Sequence, residues 1–476
     1  MGQSISYFTL KNIIVLVFAV LIVISVSMQL LPDYVYTHDA QRFYALILLA
    51  LVLMHSAIYK LSAENLLPIS KSIRLSLYGL LIFAICSTML SHYPRHAVIE
   101  VSIFTSLCYL ALFNAGLMLN NKELFVKKII YIFWISLLLY MFGFYVGYIT
   151  ALLNKTPLQW PQPFLGFFNI RCFNQYQLWP IGLITLPILA FNINLSTKRL
   201  LTIALTFWWV LFFYSASRGV LVAWFIGMTL TALVYKKLAW SFLKLQLLNI
   251  STGSVAYYVF FKWLPRLLQL NIVTSTVWRD STSDRTELWD ICIKMMGHHP
   301  FVGVGPLHYF WYTRVGTHPH NSILQLGAEW GIPATMIMLG IAGYGFYCWC
   351  IKFNLNVINS KPKFDTNLTI ILFFTIITNA AYSLVDGVIV MPISQVLMFT
   401  IIGMMIGQYQ LGTIAQPINN LTKPSFRFRP IFACIVLTAL ICSTLPEIIQ
   451  GLSGNSRGFS TGPNIVNPRI WVQPKN

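Results

Sequence analysis

Long apolar runs recur along almost the whole chain and are separated mostly by short polar segments. Each run is close to the ~20 residues that an α-helix needs to cross the apolar core of a bilayer. The pattern therefore predicts an all-α polytopic membrane protein with about 12–13 transmembrane helices. The predicted spans are residues 13–31, 43–59, 73–90, 97–118, 129–153, 177–193, 200–216, 219–235, 245–264, 330–351, 367–385, 388–409 and 429–447.

The composition agrees with this pattern and excludes a soluble protein. Hydrophobic residues make up 57% of the 476 positions and charged residues only 9%, whereas a soluble domain carries about 25% charged residues. A soluble protein this apolar has nothing to cover its surface. The first run has the length of a full span and lacks an A-x-A-like cleavage site, so we expect an uncleaved helix rather than a signal peptide.

The distribution of basic residues predicts how the helices are oriented. One alternate set of loops holds 18 of the 32 lysines and arginines against three acidic residues, and the other set holds 14 against ten. Cytoplasmic loops are enriched in lysine and arginine, so the first set and the N-terminus are predicted to be cytoplasmic. The enrichment of lysine and arginine in the cytoplasmic loops explains most of the net charge of +19. Basic residues scattered over short loops do not indicate nucleic-acid binding. Cys172 and Cys292 lie on the opposite, oxidising side, where they could pair.

Two loops on the predicted outer side are richer in polar residues than the others, at 154–176 and 265–329. The longer loop contains an amphipathic stretch, Arg285–His298, and a Pro/Gly-rich turn at 300–306. We therefore expect short helices within it and treat it as the predicted periplasmic catalytic loop. The predicted parts of the chain are residues 1–264 with about nine helices, the loop 265–329, residues 330–447 with about four helices, and a short extracytoplasmic tail at 448–476.

Arginines are unusually frequent on the same outer side. Arg218 lies in the turn between two apolar runs, and the others are Arg171, Arg279, Arg285 and Arg314. An arginine at membrane depth is costly and normally faces the protein interior or an aqueous cavity. Its planar guanidinium suits phosphate oxygens, which points to an anionic ligand. Snorkelling of Arg218 to lipid headgroups is the alternative that the sequence leaves open.

A histidine-rich segment precedes the tenth predicted span. His320 stands at the start of a predicted helix, His318 lies two residues before it, and Asn321 follows it. Neutral imidazole is the commonest general base near pH 7, whereas Asn321 is predicted to cap the helix. The spacing of the histidines matches neither H-x3-H nor H-E-x-x-H. Neither a metal nor another cofactor is therefore predicted.

Three stretches together resemble the family of O-antigen ligases and O-antigen polymerases, which also includes bacterial protein O-oligosaccharyltransferases. Residues 215–219 read S-A-S-R-G and resemble the family's S-x-S-R-G turn. Residues 285–305 begin R-T-E-L-W and end H-P-F-V-G-V-G, similar to its R-x-x-x-W…h-P-x-x-G-x-G pattern. Residues 318–333 begin H-P-H-N-S-I-L-Q and end E-W-G-I-P, similar to its H-x-H-N-x-x-L-Q…E-x-G segment. The predicted helix count extends the likeness to the whole chain.

The resemblance implies a reaction. Such enzymes move a glycan from undecaprenyl pyrophosphate to an acceptor hydroxyl at the periplasmic face of the bacterial inner membrane, without a metal or a nucleotide sugar. The expected partners are the lipid-linked glycan donor, a lipid A-core sugar or other hydroxyl acceptor, and membrane lipids. Arg218 and Arg285, with Arg171, are expected to stabilise the charge that develops on the pyrophosphate. His320 is expected to accept the hydroxyl proton in an inverting displacement.

Further polar residues are expected to contact the substrates. Asn174 and Gln175 resemble a polar signature that the family carries after its preceding outer loop, and we expect them to contact glycan or phosphate. His318 and Asn321 are the remaining predicted substrate-binding residues.

Within the family the residues favour a ligase, because the H-P-H-N form followed by a helix is typical of that branch. A polymerase remains open, since ligase and polymerase differ only in the acceptor. The short segment after the last predicted helix argues against the protein O-oligosaccharyltransferases, which usually carry another periplasmic domain there. A transporter or flippase for the same lipid-linked substrate is the alternative from another class. It is disfavoured because the polar clusters lie at the outer face and no inverted repeat is visible.

Overall fold

A computed structural model describes residues 2–28, 30–31, 35, 37–59, 70–164, 166–167, 170–274, 285–313, 318–414 and 429–452. The structure is 83% helical, and the predicted all-α polytopic fold is confirmed. Two strands of two residues, Leu158–Gln159 (β1) and Ile272–Val273 (β2), pair in parallel. Ten helices within the described ranges are long and apolar enough to cross a membrane.

The helices follow one another along the chain with few long interruptions. The first twelve are α1 Gly2–Ala19, α2 Ser25–Ser27, α3 Thr37–Ile58, α4 Lys71–Leu90, α5 Pro94–Leu153, α6 Ile170–Gln177, α7 Pro180–Leu183, α8 Leu186–Ala190, α9 Leu195–Ser215, α10 Arg218–Tyr235, α11 Trp240–Tyr258 and α12 Leu264–Leu267. The others are α13 Arg285–His298, α14 Ser322–Trp330, α15 Ile332–Lys352, α16 Leu355–Asn359, α17 Lys363–Ser383, α18 Pro392–Ile414 and α19 Arg429–Leu452. Short π-helical turns at Val20–Ile24 and Val259–Trp263 join α1 to α2 and α11 to α12.

Two of the ten apolar helices are long enough for two crossings each. Helix α5 has 60 residues, which at about 1.5 Å per residue is roughly 90 Å, against an apolar core of about 30 Å. It breaks at Asn121, whose φ of −159° and ψ of 88° are not helical. The stretch Arg218–Leu267 breaks at Lys236, which has a φ of 48°. Ten apolar helices thus provide twelve crossings, within the predicted range.

The predicted span 177–193 differs in form from the others. It consists of the two short helices α7 and α8, and Pro180 and Pro187 each stand in a first helical turn. Proline lacks the N–H that a continuous helix needs, so each proline begins a new helix. Nearly all of these residues are buried against other helices. Irregular backbone at membrane depth is tolerated where protein surrounds it. The prediction of one continuous helix is therefore wrong here.

Packing separates central helices from peripheral ones. Helix α18 is 78% buried and packs along α5, and α10 packs against α17. Helices α4 and α15 pack on each other and are only 17% buried, so their other faces are available to lipid.

The long loop contains the short helices that its amphipathic pattern predicts. They are α12, α13, a 3₁₀ turn at Tyr309–Tyr312, and α14. Of the predicted tail, residues 448–452 belong to α19, and residues 453–476 lie outside the described part of the chain. Arg279 and Arg314 also lie outside it.

Candidate active site

The short turn between α17 and α18 carries a buried carboxylate, Asp386, which is only 2% exposed. Its Oδ1 accepts hydrogen bonds from the Gln175 amide at 3.0 Å and the Gly387 backbone N–H at 2.7 Å, and its Oδ2 accepts one from the Tyr382 hydroxyl at 2.5 Å. His320 Nδ1 lies 3.0 Å from Oδ1. Burial alone raises the pKa of the Asp386 carboxyl, but the hydrogen bonds from His320 and Tyr382 hold it below its usual value. The group is therefore an ionised acceptor.

His320 is hydrogen-bonded on both sides of its ring. Nδ1 faces Asp386, and Nε2 lies 3.3 Å from Nη1 of Arg171, the second residue of α6. A guanidinium only donates hydrogen bonds, so Nε2 is the accepting nitrogen and Nδ1 carries the proton. The lone pair of Nε2 thus points away from the carboxylate. This is the tautomer that a general base needs.

His318 lies directly beside His320. The centroids of the two rings are 4.1 Å apart, and the His318 side chain is buried. A Cβ atom added to Gly387 would lie 2.4 Å from His318 Nε2, so glycine at 387 allows this approach. Pro319 between them does not separate the two rings, because His320 adopts a left-handed backbone with φ of 55° that returns its ring to His318. Non-glycine residues adopt this conformation rarely.

The neighbouring motif residues hold the histidine segment in place. Trp289 of α13 donates from its indole N–H to the carbonyl of Pro319 at 3.0 Å. Asn321 accepts hydrogen bonds from the backbone N–H groups of Ile323 and Leu324, both at 3.0 Å. The prediction that Asn321 caps α14 is confirmed.

The glycine motif is structural, as its interpretation as a turn predicts. The backbone N–H groups of Val304 and Gly305 donate to the carbonyls of Ala328 and Glu329 at 2.8 and 3.0 Å. A Cβ at Gly303 would lie 2.4 Å from the Glu329 carbonyl carbon. Residues 300–305 of the second motif thus form backbone hydrogen bonds with residues 328–332 of the third, at the C-terminal end of α14.

Arg218 and Arg285 lie near the same centre. Ser217, which precedes Arg218, hydrogen-bonds with Tyr382, and a Cβ at Gly219 would lie 3.1 Å from the Tyr382 ring. Arg218 is exposed in the first turn of α10. The charge of Arg285 acts on the same Tyr382. Arg218 thus lies between two residues that meet Tyr382 in the structure, and the charge of Arg285 is close enough to act on the same phenol.

The side chains of Asn174 and Gln175, which were predicted to contact glycan or phosphate, are buried. Asn174 and Gln175 are 2% and 1% exposed. Gln175 bonds to Asp386, so its contact in this structure is with the protein. Cys172 and Cys292 are not joined by a disulfide and are buried in different apolar clusters, one beside Met391 and the other beside Met295.

The three motifs therefore converge on one centre. A comparison with known protein families gives a match over the part of the chain that contains these motifs. Residues 200–339 match the O-antigen ligase family. The resemblance that the motifs carry is confirmed. The matched segment includes Arg218, Arg285 and His320, whereas Arg171 and Asp386 come from outside it. No curated protein matches the chain significantly.

One group of side chains at this centre has the composition of a metal site. Ligand atoms of His318, His320 and Asp386 all lie within 4.8 Å of one another. Our expectation that the outer face has no such cluster, which rested on spacing along the chain, is therefore wrong. Yet both Asp386 oxygens already accept hydrogen bonds from protein groups, and Oδ1 accepts from Gln175 and Gly387 and faces His320 as well, so a metal at Oδ1 would have to replace a donor. The prediction of a metal-free site stays a prediction.

Sequence reasoning missed Asp386 and Tyr382. The only signal for Asp386 was an acidic residue in the two-residue gap between the predicted spans 367–385 and 388–409, in a chain with 13 acidic residues. A carboxylate in so tight a turn at membrane depth is costly unless it is paired. Tyr382 has no distinguishing signal, since tyrosine is common in such helices.

Proposed function

We propose that this membrane protein is a glycosyltransferase that moves a glycan from undecaprenyl pyrophosphate to an acceptor hydroxyl. The proposed acceptor is a lipid A-core sugar, and the proposed location is the periplasmic face of the inner membrane. The observation that carries the proposal is the bonding of His320, which donates to Asp386 and presents Nε2 beside Arg171. A base and a cation thus lie within reach of one reacting centre.

The base acts on the acceptor. When the acceptor hydroxyl replaces Arg171 as the hydrogen-bond donor to Nε2, the imidazole takes its proton and becomes a cation. The buried Asp386 carboxylate stabilises that cation and keeps the ring oriented, the role that a carboxylate has in hydrolytic triads. The freed oxygen forms a bond to the anomeric carbon of the glycan.

The arginines act on the leaving group. As the new bond forms, the bond between the anomeric carbon and the pyrophosphate oxygen breaks, and its electron pair leaves with the pyrophosphate. Arg171 and Arg218 are exposed, and the buried Nε–H of Arg285 has no hydrogen-bond partner among the described residues. Arg218 also stands in the first turn of α10, where backbone N–H groups attract an anion. A single displacement of this kind inverts the anomeric centre and requires no metal.

The orientation supports the proposed face. The turns α9–α10 and α17–α18, and the loop before α14, alternate with the loops that hold most basic residues. Under the positive-inside rule, the site then faces the periplasm. The loop 265–329 contributes Arg285 and His320, which supports its assignment as the catalytic loop.

The test is transfer by the purified protein in detergent. We expect a polyprenyl-pyrophosphate-linked glycan and lipid A-core to yield the joined product, detected by mass spectrometry, and His320→Ala to yield almost none. A second lipid-linked repeat and a serine-containing peptide, offered as acceptors, separate polymerase and protein glycosylation from ligase activity. Detergent leaves no second compartment, so a transporter gives no product in any arm. No product with any acceptor would contradict the proposal.

A further inference from the structure

A second arginine environment lies deep in the bundle, on α3, and is distinct from the exposed arginines of the site. Arg42 is 1% exposed. Its Nη1 donates to Gln395 Oε1 at 2.5 Å, and its Nη2 donates to the carbonyl of Val390 at 2.9 Å. An arginine buried in a membrane protein is costly and marks a function more often than a packing role.

These two acceptors belong to the segment that follows Asp386. Val390 lies four positions after Asp386 in the turn between α17 and α18, and Gln395 lies in the first turn of α18. Gln395 in turn donates from its amide to the carbonyl of Ile389 at 2.7 Å. One guanidinium therefore binds the turn directly through Val390 and indirectly through Gln395.

The turn itself is tightly connected to Asp386. The Val388 N–H donates to the Asp386 carbonyl at 3.0 Å, and the Val390 N–H donates to the Gly387 carbonyl at 3.2 Å. A displacement of Val390 is thus transmitted through two short hydrogen-bonded loops to Asp386. The same end of the turn is also held by α6, because Ser394, in the first turn of α18, donates to the Gln175 carbonyl at 3.3 Å.

From this geometry we propose that Arg42 is a positioning residue for glycan transfer. It holds the α17–α18 turn so that the Asp386 carboxylate meets His320 Nδ1. The inference rests on the proposed function of the His320–Asp386 pair. Lysine cannot replace Arg42 fully, because its single ammonium lacks the planar fork that reaches two separate oxygens.

The chain offers a matched control at Arg95. This arginine also joins two helices, since it binds Glu447 of α19 at 2.5 Å and the Ser443 carbonyl at 3.0 Å. Neither partner belongs to the α17–α18 turn. If the loss of hydrogen bonds between helices lowered kcat without any effect on the turn, Arg95→Met should therefore also lower it.

The first test is a double-mutant cycle on the turnover number for transfer. We expect Arg42→Met to lower kcat about 10- to 100-fold through misplacement of the base, with donor KM little changed, and Arg42→Lys to lower it less. In an Asp386→Asn background, Arg42→Met should cost almost nothing further, because both changes disable one unit. Arg95→Met should leave kcat near the wild-type value. The proposal would be overturned if Arg42→Met lowered kcat by the same factor in the wild-type and the Asp386→Asn backgrounds. It would also be overturned if Arg42→Met had a wild-type kcat.

The second test needs no substrate and so separates this inference from the proposed function. Diethyl pyrocarbonate modifies the accessible nitrogen of histidine, and peptide mass spectrometry gives its rate at His320. We expect Asp386→Asn to change that rate, Arg42→Met to change it in the same direction by at least half as much, and Arg95→Met to leave it unchanged. A His320 rate in Arg42→Met equal to that of the wild type, at matched thermal stability, would overturn the role of Arg42 even if transfer were confirmed. If the rates follow our expectation while no acceptor is glycosylated, the proposed function fails and the positioning role stands.

Discussion

His320 Nδ1 and Asp386 Oδ1 lie 3.0 Å apart although 66 positions separate the two residues in the chain. One comes from the loop before α14 and the other from the turn between α17 and α18. The carboxylate orients the imidazole so that its other nitrogen faces Arg171. The candidate site is thus built across segments that only the folded bundle brings together.

Asp386→Asn should abolish most glycan transfer. The substitution keeps the size of the side chain but removes the charge that stabilises the imidazolium, so we expect a loss of about 10²- to 10⁴-fold in kcat. The measurement is transfer by purified protein at matched amounts. Asp290→Asn is the control, since Asp290 is exposed on α13 and pairs with Lys294 within that helix. An active Asp386→Asn enzyme would show that His320 acts without its carboxylate.

His320→Ala should cost more than His318→Ala. The first removes the proposed base and should lower transfer about 10²- to 10⁴-fold, while donor binding persists. The second removes a ring that packs on His320 at 4.1 Å, and we expect about a 10-fold loss through misplacement of the base. Donor binding and transfer are measured for both variants. A more active His320→Ala than His318→Ala would assign the base to the other ring.

Arg218→Lys should be nearly as harmful as Arg218→Ala, and the same should hold for Arg285. Lysine keeps the charge but loses the bidentate fork that grips phosphate oxygens. Arg266→Lys serves as the control, because Arg266 is exposed in the short helix α12. Transfer rates and donor affinity are compared across the set. If Arg218→Lys were fully active, Arg218 would be an arginine that snorkels to lipid headgroups.

Chelation should leave transfer intact. Protein donors already hold both oxygens of the Asp386 carboxylate, so His318, His320 and Asp386 are expected to act without a bound ion. The activity of the purified protein is measured after EDTA treatment and after addition of Mg²⁺, Mn²⁺ or Zn²⁺. If EDTA abolished the activity and one of these ions restored it, the cluster would be a catalytic metal site.

Reporter fusions should place the two ends of the bundle on opposite sides of the membrane. A fusion in the 3₁₀ turn Lys236–Ala239 should behave as cytoplasmic, and one at Thr317 as periplasmic, because of the asymmetry in basic residues. Lys244, near one predicted loop boundary, lies within α11, so the turn before it is the better position. Two fusions that report the same side would mean that the number of crossings between them is even.

Most of the fold could be predicted because span length and hydropathy are local properties. The predicted boundaries 73–90 and 219–235 agree closely with α4 and α10. The span 177–193 was not predicted correctly, since the sequence shows an apolar run but not which prolines end a helix inside it. Pro446 lies within α19, whereas Pro180 and Pro187 begin separate helices that the surrounding protein shields.

By itself, the sequence determined the membrane class, the order of the helices, the cap at Asn321 and the family to which the motifs point. Each depends on residues within a few turns of one another. Only the tertiary structure decided that His318 packs on His320, that Gln175 serves Asp386, and that Arg42 holds the turn beside it. The two histidines meet through the left-handed backbone of His320, and the other partners lie far apart in sequence, 211 positions for Gln175 and Asp386 and 348 for Arg42 and Val390. Pairing of this kind depends on which helix ends meet, and a local pattern carries no information about that.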